Sequence, residues 1–150
     1  MGRNHSPKSR QRLALLTYVR LMRAANTLRG VASRQLSDTG LTLTQFAVLE
    51  ALYHLGPMSL SEVAHKILTT GGNLTMVVGN LEKQGLVNRK CSPEDARVYI
   101  LSLTNKGRKL IQEIFPQHAA TLTDAIAVLR ADEQEQLGEL CRKLRKQEEA

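Results

Sequence analysis

Apolar residues between positions 69 and 87 recur with the period of an α-helix. The stripe consists of Leu74, Val77, Val78 and Leu81. Their spacing of i, i+3, i+4 and i+7 places them on one face of an amphipathic helix. Gly85 then stands where helices often end on a glycine, and Leu86 supplies the hydrophobic residue that commonly follows it. The pattern predicts a short helix with one buried face.

Two adjacent glycines, Gly71 and Gly72, precede this helix. Each glycine disfavours a helix by roughly 1 kcal/mol relative to alanine, so two in a row at the start of a helix call for a structural explanation. The glycines suit a tight turn between helices. They also leave backbone N–H groups at a helix N-terminus open to a phosphate. The two interpretations are compatible, and both stay open.

Two further helices are predicted upstream, each from a capping box. The two boxes are Thr42 with Gln45 and Ser59 with Glu62. In each pair, the side chain of either residue can accept a hydrogen bond from the backbone N–H of the other. Hydrophobic staples flank the boxes, Leu41 with Phe46 and Met58 with Val63. The Gly56-Pro57 pair separates the two helices.

The period changes after Gly85. Residues 86–91 and 97–103 are β-prone runs, and Ser92-Pro93 between them favours a type I turn, so a hairpin is expected. The order helix, helix, turn, helix, hairpin is typical of a winged helix-turn-helix. In that arrangement the second helix of the tight pair, here the helix that begins near Leu74, enters the major groove of DNA.

Long helices are predicted on both sides of this module, one from about residue 12 to Ser37 before Gly40, and one that Thr104 caps and that runs to Leu129. Pro116 should kink the latter, and another helix follows from residue 131. Their apolar stripes are too long for the central module to cover, which indicates a twofold interface. The expected fold is mainly α, an α+β winged helix: a winged helix-turn-helix region at 41–103, flanked by dimerisation helices at 12–38 and 104–148.

The charge balance points to an acidic partner. Lys and Arg number 21 against 14 Asp and Glu, a formal charge of +7, which suits nucleic acid or an anionic membrane, although a solvated basic surface remains an alternative. The chain has few aromatic side chains that could stack on unpaired bases, with three Tyr, two Phe and no Trp. Duplex DNA is therefore favoured over single strands. No apolar run reaches the roughly 20 residues of a membrane span, and no membrane partner is expected.

The face of the predicted recognition helix opposite its apolar stripe supplies the candidate base contacts. Asn can bond adenine through two hydrogen bonds, while Thr and Met can contact a thymine methyl group. The candidates are Asn73, Thr75, Met76, Asn80 and Lys83. Met76 is equally well interpreted as plain surface. Two such helices in a dimer would reach half-sites about 10 base pairs apart.

The hairpin supplies the second set of candidates. Asp95 precedes Arg97 by two residues, so its carboxylate can brace the guanidinium as Arg97 enters a narrow minor groove. Arg89 and Lys90 suit phosphates. The alternative is an ordinary exposed ion pair worth at most about 1 kcal/mol.

No pattern in the chain indicates catalysis, a metal or a cofactor. Cys91 and Cys141 are far apart and lack metal-type spacing, which fits a cytoplasmic protein. Hydrolase, metalloprotease and nucleotide-binding motifs are missing, so an enzyme is not expected. A non-sequence-specific architectural DNA binder and a protein-docking winged helix remain alternatives, but outward Asn73 and Thr75 favour base reading.

Residues 41–107 resemble the multiple-antibiotic-resistance regulator (MarR) family of winged-helix transcription factors. The matching segments are LTLTQFAVLEAL, GPMSLSEVAHKI, GGNLTMVVGNLEKQGLVNR and SPEDARVYILSLTNKG. The resemblance implies an obligate homodimer, which we expect to act as a repressor on a pseudo-palindromic operator. It also implies DNA recognition by Thr70 to Lys83 and by a wing that uses Asp95 and Arg97. Family members often carry Asp-Arg-Arg at the wing, and this chain keeps the outer pair.

The resemblance further implies a switch by an oxidant or a small organic molecule, for example an aromatic one. The family's pocket lies where dimer helices meet the DNA-binding module. Candidate lining residues are Tyr18, Met22, Leu52, Tyr53, Ile114 and Phe115, each of which can equally be plain core. Neither cysteine occupies the first-helix position used by the family's hydroperoxide sensors.

Overall fold

Six helices and a small sheet form the part of the chain that the structure, a computed structural model, describes: residues 7–67 and 73–147. The helices are α1 (Pro7–Leu36), α2 (Leu43–Leu55), α3 (Leu60–Lys66), α4 (Leu74–Lys83), α5 (Asn105–Ile126) and α6 (Ala131–Arg145), with a 3-10 turn at Ser37–Thr39. The strands are β1 (Met58–Ser59), β2 (Val87–Cys91) and β3 (Tyr99–Leu103). Within these residues, no helix combines the length and the apolar character that a membrane crossing needs.

Both capping boxes form as predicted. The Gln45 N–H donates to Thr42 Oγ1 at 3.1 Å, and the Thr42 N–H donates to Gln45 Oε1 at 2.9 Å. Ser59 and Glu62 repeat the exchange at 3.2 and 2.7 Å. Each box satisfies two backbone donors that the start of a helix leaves without partners. The first residues of α2 and α3 are therefore set by local sequence.

The end of α4 is also the one predicted. Gly85 has a φ of +71°, a left-handed conformation that glycine adopts without steric cost. The Leu86 N–H donates to Leu81 O and the Gly85 N–H to Glu82 O, both at 2.9 Å, which is the Schellman pattern. Leu86 is buried, so the turn after α4 is anchored in the core.

The sheet is larger than the predicted hairpin. Its order is β1-β3-β2, all antiparallel, with Met58 opposite Leu101. Sequence patterns missed β1 because a two-residue strand has no period. The second hairpin strand begins at Tyr99 and not at Arg97, since the Ser92 N–H donates to Val98 O at 2.7 Å and this bond closes the tip.

The core lies between α2, α3, α4, the sheet and the first half of α5. Leu49, Val63, Leu81, Leu101 and Ile111 are fully buried in it. From α1, only residues in its C-terminal part, Ala32 and Leu36, are buried. The core thus belongs to the winged helix-turn-helix module and to the ends of the long helices that touch it.

The long helices differ from their predicted bounds. The first starts at Pro7, before the predicted residue 12, and α5 ends at Ile126, before the predicted Leu129. Helix α5 continues through Pro116 as one helix. In the described part of the chain, no residue of α6 is buried. Large apolar side chains are exposed on both outer helices: Leu13, Leu15, Leu16, Tyr18, Val19 and Met22 on α1, and Leu137, Leu140 and Leu144 on α6.

A buried histidine joins α5 to α1 and α2. His118 Nδ1 lies 3.0 Å from Gln35 Oε1, and its ring centroid is 4.3 Å from that of Phe46. Burial lowers the pKa of His118 below 6.5, against a smaller opposing effect of the Glu50 charge. The folded protein therefore keeps this imidazole neutral at a pH at which an exposed histidine binds a proton.

We expect this histidine to make stability depend on pH. Because the unfolded chain binds the proton first, the free energy of unfolding should fall as pH drops below about 6.5. His118→Gln should flatten this dependence in denaturant titrations between about pH 7.5 and 5.5. His65→Gln, which removes an exposed histidine, is the matched control and should keep it. An unchanged slope in His118→Gln would contradict the assignment.

Candidate nucleic-acid interface

The polar face of α4 is open to solvent. Leu74, Val78 and Leu81 are buried and Val77 is half-buried, so the helix rests on the core along the predicted stripe. The five predicted base-contact residues all lie on the exposed side: Asn73, Thr75, Met76, Asn80 and Lys83. Three further candidates, Thr70, Gly71 and Gly72, lie outside the described residues.

The tip of the wing holds one arginine in a fixed pose. Arg97 Nε and Nη2 donate to the two carboxylate oxygens of Asp95 at 3.2 and 3.3 Å, and the Arg97 N–H donates to Oδ1 at 3.0 Å. These bonds lower the pKa of Asp95. The Arg97 side chain is nevertheless 91% exposed. An ion pair this exposed adds little stability, so its main consequence is to orient the guanidinium.

Arg89 is engaged by the protein itself. Its Nε lies 3.1 Å from Glu82 Oε1, and its guanidinium carbon lies 5.1 Å from the centre of the Tyr99 ring. The ion pair and the cation–π contact link the last turn of α4 to both wing strands. Lys90, the next residue, is exposed. Sequence reasoning did not single out Glu82 or Tyr99, because their approach to Arg89 depends on the turn after α4.

A groove is lined by one candidate residue of α4 and two of the wing. Its volume is about 540 Å³, and it lies between α3, α4 and the wing. Thr75, Arg89 and Arg97 all line it, with Tyr99 and the start of α3 as further walls. Thr75 of α4 and Arg97 of the wing therefore border the same surface groove.

The six predicted effector residues lie in different parts of the single chain. Leu52 and Ile114 are buried in the core, and Tyr53 and Phe115 pack against it. Tyr18 and Met22 are exposed on α1, far along the helix from its buried end. In this single chain the six residues include two core positions and two on an open face.

A cavity of about 710 Å³ does lie near the expected place, between α1, α2 and α5. Its lining includes Ala47 and Ala51 of α2 and Leu122 of α5, with six polar side chains. The polar residues are Arg29, Thr44, Glu50, His54, Lys66 and His118. The six predicted effector residues are not among those that line this cavity, and their role stays a prediction.

The cysteines and the acidic and histidine side chains suggest no further site. Cys91 is exposed and Cys141 half-buried, and both are free thiols. In the described ranges, no three His, Cys, Asp or Glu side chains cluster as a metal site requires.

Comparison with known proteins agrees with this geometry. The model of the MarR family matches residues 41–99. The HTH-type transcriptional regulator MhqR of Bacillus subtilis (strain 168) is 38% identical over 131 residues, which are 87% of this chain and 90% of that protein.

Two solved structures share the fold over most of their length. Sco3205, a MarR-family regulator from Streptomyces coelicolor in complex with DNA, matches with a TM-score of 0.79 at 25% identity, covering 97% of this chain and 91% of its own. BpsR of Bordetella bronchiseptica, whose DNA binding is regulated by 6-hydroxynicotinic acid, matches with a TM-score of 0.78 at 26% identity, covering 86% and 98%.

The predicted fold class is confirmed by these matches and by the helices and sheet described above. The relatives are transcription regulators and not enzymes. The identity and coverage shared with MhqR, together with the family match across the winged module, establish the family. The chain belongs to the MarR family of winged helix-turn-helix transcriptional regulators.

Proposed function

We propose that the protein is a homodimeric repressor that binds a pseudo-palindromic operator in duplex DNA. Each α4 enters a major groove through Asn73, Thr75 and their exposed neighbours, and each Arg97 enters the adjacent minor groove. The observation that carries the proposal is the shared groove, which is lined both by Thr75 of α4 and by the braced wing arginine. The DNA complex of Sco3205 supports the same use of this fold.

The proposal divides the chain by role. Residues 41–103 read DNA, and residues 12–38 and 104–148 hold the dimer. The support is the distribution of apolar side chains, since the buried ones concentrate in the central module and the exposed ones on α1 and α6. An exposed apolar face of this kind is typical of a protein interface. Closure by a twofold axis would cover both helices at once.

Release from DNA follows, in this proposal, from a small aromatic effector in the cavity between α1, α2 and α5. The cavity has apolar walls from Ala47, Ala51 and Leu122, and the cationic groups of Arg29 and Lys66 suit a carboxylate. BpsR, whose DNA binding responds to 6-hydroxynicotinic acid, supports this ligand class.

Selection of bound sequences from random duplex DNA tests the core of the proposal. We expect a consensus with two inverted half-sites. Binding that falls steeply with salt but yields no consensus would support an architectural DNA binder instead. No DNA affinity at all would support a protein-docking module.

On the selected operator, Arg97→Ala should weaken binding by about fivefold or more, as expected for an arginine contact worth roughly 1–3 kcal/mol. The chain offers a matched control in Arg130→Ala. Arg130 forms a similar pair with Asp132 at 3.1 Å, but at the start of α6. Fluorescence anisotropy should show a loss for Arg97→Ala alone. Equal losses in both variants would mean that only total charge matters.

The dimer is tested on α6. Leu140→Glu places a charge within the exposed apolar stripe, and we expect it to convert the dimer to a monomer because a buried unpaired charge is strongly unfavourable. Gln136→Glu introduces the same charge at an exposed polar position of the helix. Light scattering should report dimer mass for the control and monomer mass for Leu140→Glu. A wild-type protein of monomer mass would contradict the proposal directly.

The effector cavity is tested by filling it. Ala51→Phe should reduce release from the operator by 6-hydroxynicotinic acid and simple hydroxybenzoic acids, and leave operator affinity without ligand unchanged. Ala120→Phe, at an exposed position of α5 outside the cavity lining, is the control. Calorimetry and anisotropy with ligand measure both effects. Full ligand sensitivity in Ala51→Phe would place the effector elsewhere.

A further inference from the structure

Three successive backbone carbonyls after the recognition helix accept hydrogen bonds from the start of α5. Lys106 Nζ donates to Gln84 O at 2.8 Å, and Thr104 Oγ1 donates to Gly85 O at 2.6 Å. The Thr104 N–H donates to Leu86 O at 3.1 Å. Carbonyls at a helix C-terminus lack donors within the helix, so these bonds satisfy groups that α4 and its turn leave over.

The Thr104 hydroxyl forms hydrogen bonds both to the turn after α4 and to the first turn of α5. While it donates to Gly85 O, it accepts from the Gly107 N–H at 3.0 Å and so caps α5. A hydroxyl has one donor and two acceptor sites, and both functions are used here. The residue that caps α5 is therefore also the residue that holds the turn after α4.

Gly107 lets the two segments come into direct contact. A Cβ at this position would lie 2.1 Å from Leu86 O and 3.0 Å from the Leu86 carbonyl carbon. The obstructing atoms belong to the backbone, which cannot move aside cheaply as a flexible side chain can. Any side chain at position 107 would therefore push α5 away from the turn that follows α4.

We propose that Thr104, Lys106 and Gly107 form a clamp that sets the orientation of the recognition helix relative to α5, and thereby selects the spacing between operator half-sites. This inference rests on the proposed function, in which α5 belongs to the dimer frame and α4 reads DNA. The three are positioning residues, because they act on the joint and not on the bases.

The position of the clamp explains why spacing should respond to it. It holds the C-terminal end of α4, whereas Asn73 and Thr75 stand at the other end of this 10-residue helix. The helix is about 15 Å long, so a tilt of about 10° at the joint moves its N-terminal end by roughly 2.6 Å. That displacement approaches the rise of one base pair, about 3.4 Å. A loosened joint would therefore fit neighbouring spacings that a rigid one rejects.

The test uses the full-length protein and the operator selected above, with the half-site sequences kept and the spacer lengthened or shortened by one and two base pairs. Thr104→Val removes the hydroxyl at nearly constant shape, and Thr104→Ser keeps it as the control. We expect wild type and Thr104→Ser to prefer one spacing. In Thr104→Val that preference should fall by about fivefold, the factor expected from losing the bond to Gly85 O, which is the one of the hydroxyl's two hydrogen bonds that reaches the turn after α4.

Two measurements separate positioning from general damage. The penalty for a mismatched base within a half-site should be unchanged in Thr104→Val, since the base contacts remain. Lys106→Met, which removes one exposed bond to the joint, should also relax the spacing preference. If it only lost a phosphate contact, all spacings would weaken equally and their ratio would stay constant. This second variant keeps the inference testable if Thr104→Val does not fold.

The outcomes are distinct. A relaxed spacing ratio with an intact mismatch penalty in either folded variant supports the clamp. Wild-type ratios in both folded variants overturn it. A wild-type protein that selects no paired half-sites overturns the proposed function and, with it, the premise of the clamp.

Discussion

Helix α4, the proposed recognition helix, can bury only one face, and this constraint organises the rest of the molecule. Leu74, Val78 and Leu81 are withdrawn from water against the core, which leaves the polar residues between them no place except the surface. Hydrophobic burial is nondirectional and scales with area, so it decides which face points inward but not what the outward face touches. The outward chemistry of α4 is therefore free to serve recognition without a loss of core stability.

Electrostatic and hydrogen-bond contacts then hold that helix at its C-terminal end. The Glu82–Arg89 pair joins it to β2, and the bonds from Thr104 and Lys106 join the following turn to α5. Each contact is modest in water-exposed surroundings, but the bonds from Thr104 and Lys106 satisfy backbone carbonyls that need partners in any case. The wing arginine is oriented separately by Asp95, so the two elements that we propose to contact DNA are positioned by different contacts on one scaffold.

The junction of α1, α2 and α5 has a different character. A buried neutral histidine, its glutamine partner and a cavity lie together there, next to the helices that carry the exposed apolar faces. Close packing normally fills such space with side chains, and a cavity of this size between elements is typical of a ligand site. Helix α5 lines this cavity and also donates a hydrogen bond to the turn after α4. The same helix therefore contacts both the proposed effector site and the segment that follows the proposed recognition helix.

The sequence by itself determined what depends on neighbours a few residues apart. The starts of α2 and α3, the end of α4 at Gly85, the buried stripe of α4 and the Asp95–Arg97 brace all follow from residues within one or two turns, and the structure has each of them. Tertiary structure alone decided the contacts between distant segments. The short strand at Met58–Ser59 exists only because Leu101 and Ile100 come beside it, and the lining of the cavity depends on how α1 crosses α2 and α5. Thr104 meets Gly85 across 19 positions of the chain, and periodicity carries no information about which backbone will lie at that distance.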